Sequence, residues 1–178
     1  MVNTPNPKID FEINNTVEIN APLDQVWRTL TDLGAYHDWN PTIRGITGTL
    51  EVGHDVVLSV AQPDGGERQW SVRVSRFDPQ HEYGWTFYED SPELYGGEHT
   101  FRLEAVDEHT TRYHDRETFH GSLVAERQHD LASTTQAGMN AMGAALKQHV
   151  EDPTNRSVKP RLKISPGSPS PRKGTPLS

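Results

Sequence analysis

The side chains able to do chemistry in this chain are imidazoles, carboxylates, hydroxyls and guanidiniums. There are no cysteines, which excludes thiolate nucleophiles, disulfides and cysteine-ligated zinc or iron–sulfur centres. Nine histidines raise the question of a metal. His114 and His120 share strand parity, but six residues at 3.3 Å each separate them by about 20 Å, too far for one ion. No His-x-x-x-His pair on a helix, no HExxH and no His-x-His is present, so no metal site is expected. A G-x-S-x-G elbow, a Walker loop and a dinucleotide G-x-G-x-x-G are absent too, and no cofactor is expected.

A different set follows from strand alternation. Over 97–106, His99, Phe101 and Leu103 share a face, and the apolar companions mark it as inward. Over 110–120 the matching face carries Tyr113, Asp115, Glu117 and Phe119; over 80–88 it carries Tyr83, Trp85 and Phe87. Consecutive antiparallel strands would then bring His99 and Glu117 together inside an aromatic cavity. A buried carboxylate beside an imidazole has coupled, shifted titrations and suits general acid–base work. The same pair could instead be a structural hydrogen bond that satisfies two buried polar groups. His99 and Glu117 are therefore the candidate catalytic residues. Trp85, Phe87, Phe101, Tyr113 and Phe119 are the expected ligand-binding walls, with Trp39 and Trp70 at the cavity mouth. Trp27 reads as helix–sheet packing, and Arg73, of opposite parity to Val72 and Val74, reads as solvent-facing.

Positioning these groups requires a particular order of elements. Phe11 to Ile19 alternates as a strand, and Pro22 opens a helix through Val26, Trp27 and Leu30 because proline has no amide to lose there. Tyr36 to Asn40 makes a short second helical turn before Pro41. Six further strands are predicted at 43–49, 54–61, 67–77, 80–88, 97–106 and 110–120, with short turn signals between them. Glu89 to Gly97 reads as a mobile rim loop containing a Gly96-Gly97 turn. A long amphipathic helix over about 125–150 closes the domain, placing Leu131, Met139, Met142 and Leu146 toward the sheet. That face also carries Gly138, Ala141, Gly143 and Ala144, which fits either a close approach to the sheet or a surface left loose for a guest. The fold class is α+β: a seven-stranded antiparallel sheet curled around one long helix. One helix cannot fill the concavity of seven strands, so an internal cavity is expected.

Composition divides the chain in three: a flexible start (1–9), a ligand-binding domain (10–152) and a disordered, basic, Pro/Ser-rich tail (153–178). The tail holds six Lys/Arg and no acid, which leaves the body 11 basic and 25 acidic side chains, a charge of -14. An acidic body repels phosphate backbones, so no nucleic acid is expected on its folded surface. No apolar run reaches membrane-spanning length, and MVNTPNPKID lacks a secretory layout, so a soluble, cytoplasmic protein with no membrane partner is expected.

The segment Val17-Glu18-Ile19-Asn20-Ala21-Pro22, followed by Val26-Trp27, Leu30, Asp32 and Trp39-Asn40-Pro41, resembles the opening of START/birch-pollen-allergen-like (SRPBCC) domains. Gly97 to Glu104 and Thr111 to Leu123 resemble the sixth and last strands of the bacterial polyketide cyclase/dehydrase type. The resemblance implies a helix-grip fold with a deep cavity for hydrophobic or aromatic ligands, and no single reaction. Three functions fit. The first is a carrier or sequestering protein for a hydrophobic, polyketide-like small molecule. The second is an aromatase/cyclase working through His99 and Glu117. The third is a self-resistance protein of an antibiotic producer, spent on the drug, with cleavage at exposed backbone such as Gly96, Gly97 or Gly121.

Overall fold

A computed structural model describes residues 8–62 and 64–155. Most of the start expected to be flexible (1–9) and of the tail expected to be disordered (153–178) thus lies outside the described residues.

Strand β1 (Phe11–Ile19) leads through Pro22 into helix α1 (Leu23–Thr31). The Pro22 carbonyl accepts the amides of Gln25 and Val26, so proline stands immediately before the first turn. A 3-10 turn at Leu33–Ala35 and a short helix α2 (Tyr36–Trp39) follow. Strands β2 (Ile43–Thr47), β3 (Asp55–Ala61), β4 (Glu67–Asp78), β5 (Glu82–Glu89), β6 (Tyr95–Ala105) and β7 (Thr111–His120) come next. Helix α3 (Val124–Glu151) ends the domain. The sheet order is β1-β7-β6-β5-β4-β3-β2, all antiparallel. Each strand after β2 pairs with its predecessor, as short connections dictate, and β1 returns to close on β7. This is the expected seven-stranded helix-grip architecture.

Helix α3 runs beside β1 in the same direction. Gln136 donates to the Asn14 carbonyl, Asn15 donates to the Met139 carbonyl, and Lys147 donates to the Glu18 carbonyl. The curl of the sheet brings the other edge back to the same helix. Gln25 of α1 donates to the Val150 carbonyl and Thr42 to the Gly138 carbonyl. Met139, Met142, Gly143, Leu146 and Val150 are buried beneath α3, while Leu131 is half-buried.

The two readings of the small residues on α3 separate by position. A β-carbon on Gly143 would stand 2.7 Å from Asn15 Nδ2 and 2.9 Å from Val17 Cγ2, so glycine there permits the close approach of helix and β1. A β-carbon on Gly138 would meet only Thr42, at 3.7 Å. Ala141 and Ala144, expected on the buried face, are exposed, because the stripe against the sheet is narrower than the run of small residues.

The expected rim loop is shorter than 89–97. Strand β6 begins at Tyr95, so Gly96 and Gly97 are buried in the sheet and do not form a turn. A β-carbon on Gly97 would lie 2.1 Å from the Thr118 carbonyl oxygen and 2.7 Å from the Phe87 ring. The glycine admits that ring. Gly121, at the turn into α3, is half-buried.

Candidate functional site

Parity and register build the interior row by row. Across the concave face, Val74, Trp85, His99, Glu117 and Ile13 stand opposite one another on β4, β5, β6, β7 and β1. The next row is Tyr83, Phe101, Asp115 and Asn15. Beyond the first row, Phe87, Gly97, Phe119 and Phe11 form another. The polar side chains His99, Asp115 and Glu117 thus sit at the middle of a concave face that is aromatic on both sides. Phe101 packs on His99 with ring centroids 4.3 Å apart, and Trp85 meets the imidazole edge-on at 6.0 Å.

His99 Nε2 lies 2.5 Å from Asp115 Oδ1, while Nδ1 lies 3.9 Å from Glu117 Oε2. The Asp115 side chain is fully buried, and those of His99 and Glu117 are 13% and 15% exposed. Glu117 is the residue directly opposite His99, as alternation and chain order imply, yet the closer carboxylate is Asp115, one step along the diagonal. Diagonal neighbours lie within reach of long side chains, and an imidazole that leans along its strand meets that one. Asp115 was already visible on the inward face; what sequence reasoning missed was its partner.

The electrostatics follow from this placement. Burial works against a charged imidazole, but Asp115 and Glu117 outweigh it, and His99 is pushed up to about 9. Burial raises the Glu117 carboxyl above the ordinary range; His99 opposes that rise and Asp115 adds to it. At neutral pH the site therefore holds an imidazolium whose Nδ1 is not committed to Asp115, beside a carboxyl group more basic than usual.

A second polar group lies deeper. The hydroxyls of Tyr36 and Tyr83 are 2.6 Å apart, and Tyr36 donates to the Leu30 carbonyl at 2.9 Å. Sequence reasoning assigned Tyr36 no role, because no period on a four-residue helix marks it. The Tyr113 hydroxyl and Asp115 Oδ2 are buried on the same face of β7 and answer to one another: burial and then Asp115 push the Tyr113 hydroxyl well up.

The remaining expected contacts fall as follows. Trp85, Phe101, Tyr113 and Phe119 are buried in the sheet's concave face, with Met139 and Met142 beneath the helix. Trp39 is buried against Tyr36 and His149, with ring centroids 5.0 and 6.4 Å away, and its indole nitrogen has no partner among the described residues. Trp70 and Phe87 are half-buried where the apolar interior reaches the surface. Trp27 packs against Phe77 and Tyr83 between helix and sheet. Arg73 faces solvent and pairs with Asp55 at 2.8 Å. Gly96 and Gly97 are not exposed backbone. Among the described residues, no group of three or more His, Asp or Glu is arranged to hold a metal ion, and no helix is long and apolar enough to cross a membrane.

A family model described as polyketide cyclase/dehydrase and lipid transport matches residues 10–151. No curated protein matches the chain. Among solved structures, the Zhui aromatase/cyclase from Streptomyces sp. R1128 is similar at 22% identity, with TM-score 0.64, covering 79% of this chain and 93% of that one. A START superfamily protein from Mycobacterium smegmatis is similar at 18% identity, with TM-score 0.57, covering 77% and 97%. The di-domain aromatase/cyclase StfQ from the steffimycin biosynthetic pathway is similar at 12% identity, with TM-score 0.64, covering 79% of this chain and 50% of that one. At these identities the likeness is one of fold.

Proposed function

The chain belongs to the polyketide cyclase/dehydrase and lipid transport family, and we propose that it binds a hydrophobic, aromatic, polyketide-like small molecule in the interior between α3 and the concave sheet. The observation that carries this reading is the aromatic face of Trp85, Phe101, Tyr113 and Phe119 with the polar group of His99, Asp115 and Glu117 set into it. An apolar wall supplies affinity and a few fixed polar groups supply orientation. Carrying or sequestering such a molecule needs nothing more. Mass spectrometry of gently purified protein tests this: a retained small molecule supports it. Protein that retains none, and that binds no added polycyclic aromatic compound, overturns it.

The pairing of His99 with Asp115 and Glu117 favours a second reading, that of an aromatase/cyclase. In an aldol closure, Glu117 removes a proton from a carbon flanked by two carbonyls. That carbon then bonds to the carbon of a third, more distant carbonyl, whose oxygen takes the proton of the His99 imidazolium. In the dehydration that follows, neutral His99 removes the remaining proton from the same carbon, and the hydroxyl leaves as water with the proton held by Glu117. Both residues return to their starting states. The walls would hold the chain in the reactive shape. Replacing Glu117 with Gln should abolish turnover and leave binding nearly intact; retained turnover removes Glu117 from catalysis. Scission of the protein once per ligand, without turnover, would mark a sequestering protein that is spent on its guest.

A further inference from the structure

We propose that the guest of this interior carries a terminal carboxylate, taken up between Arg68 of β4 and Arg127 of α3. The inference rests on the binding role proposed above and specifies the class of ligand. Arg68 belongs to the inward row of β4, two residues beyond Trp70 and in step with Val72 and Val74. Its guanidinium carbon lies 4.1 Å above the Trp70 ring. Arg127 stands in the first turn of α3, across the interior from the sheet, with its guanidinium carbon 4.6 Å above the ring of buried Tyr95. Glu89, at the end of the inward row of β5, lies between them. It accepts from Arg68 at 3.3 Å on one oxygen and from Arg127 at 2.6 Å on the other.

Three features separate this cluster from an ordinary surface ion pair. First, Arg68 and Arg127 converge from a strand and a helix on one carboxylate, whereas on the outer face of the sheet Arg73, Arg76 and Arg116 each pair with a carboxylate no other arginine shares and only Arg102 and Arg112, both on the sheet, share Glu104. Each guanidinium carries five N–H donors, and among the described residues the hydrogen bonds of both go to Glu89. Most of their donors are therefore unmatched by the protein. Secondly, stacking on Trp70 and Tyr95 fixes the planes of the two forks, which suits them to a flat two-oxygen group more than to a diffuse charge. Glu89 itself shows that a carboxylate fits between them. Thirdly, the cluster joins directly to the candidate site. Tyr95 is buried below Arg127, and its hydroxyl is driven upward in pKa by burial and then by Glu117, with Arg127 opposing and Glu89 adding. A molecule lying along Phe87 and Tyr95 with one end near Glu117 and His99 would have its other end at the two arginines.

The test uses 1-pyrenebutyric acid and its methyl ester, which share a four-ring body and differ in charge. Binding is read by energy transfer from the protein's tryptophans at constant ionic strength. The wild-type chain should bind the acid about tenfold more tightly than the ester, as expected for one added charge-assisted contact. Arg68→Gln and Arg127→Gln should each reduce that preference, and the double variant should abolish it, with affinity for the ester unchanged. Glu89→Gln should strengthen binding of the acid, since a competing carboxylate is removed; a clasp with a purely structural role would instead lose affinity for both probes. Equal binding of acid and ester by the wild type overturns this proposal and leaves the binding role intact. Displacement of the acid by inorganic phosphate overturns the carboxylate assignment. Failure of both probes to bind overturns the two readings together.

Discussion

Replacing Asp115 with Asn isolates the strongest electrostatic claim about the interior. Asp115 and Glu117 hold His99 at about 9 against burial. Relative to an ordinary imidazole at 6.5, that rise corresponds to roughly 3 kcal/mol at 1.36 kcal/mol per pH unit. Asn keeps the shape and removes the charge, while burial, the term working against the imidazolium, remains. Glu117, 3.9 Å from Nδ1, is then the only carboxylate of the pair left to oppose it. The His99 ring should therefore titrate at least about one unit lower in the variant. Side-chain NMR resolves this directly, with His99 assigned by the resonance missing from a His99→Gln sample. The folded-state pKa is raised, so the stabilisation is complete below pH 6.5 and is lost as pH rises through about 9. The melting temperature of the wild type should thus exceed that of Asp115→Asn by at least about 3–5 °C at pH 6, for one unit at 1.36 kcal/mol and about 2–4 °C per kcal/mol in a domain of this size, and the gap should narrow by pH 9.5. An unshifted His99 titration in the variant, or a gap that does not change with pH, would refute the reasoning.

Other consequences concern packing. Gly143→Ala should destabilise the protein, because its methyl group would press on Asn15 and Val17, whereas Gly138→Ala should stabilise it by about 0.5–1 kcal/mol through helix propensity; chemical denaturation measures both, and the same sign for the two would refute the assigned spacing of α3 from the sheet. Met142→Asp should cost several kcal/mol, about the penalty for an unpaired charge in an apolar interface, and an unchanged melting curve would place that face in solvent. Phe101→Ala should lower stability by about 3–5 kcal/mol, since the ring is fully buried against His99, Tyr83 and Trp85; a loss below 1 kcal/mol would mean the site collapses without it.

Periodicity by itself determined much of this protein. Alternation at Tyr83-Trp85-Phe87, His99-Phe101-Leu103 and Tyr113-Asp115-Glu117-Phe119 fixed which side chains point inward, because a strand offers only two faces. Short connections fixed the antiparallel order, and the three- and four-residue spacing of Met139, Met142 and Leu146 fixed the gripping face of α3. Where two such elements meet is decided only in three dimensions. The preference of His99 for Asp115 over Glu117 depends on how a side chain leans across a twisted ladder, an angle that spacing does not encode. The Gly96-Gly97 pair reads locally as a turn, and only the Phe87 ring and the Thr118 carbonyl beside Gly97 explain why it lies within a strand. Arg68, Glu89 and Arg127 show the limit most plainly. They are scattered over 60 positions and lie on two strands and a helix, and each alone is an ordinary surface charge. Their convergence on one carboxylate arises from the curl of the sheet around α3, a long-range property that no local stretch of sequence contains.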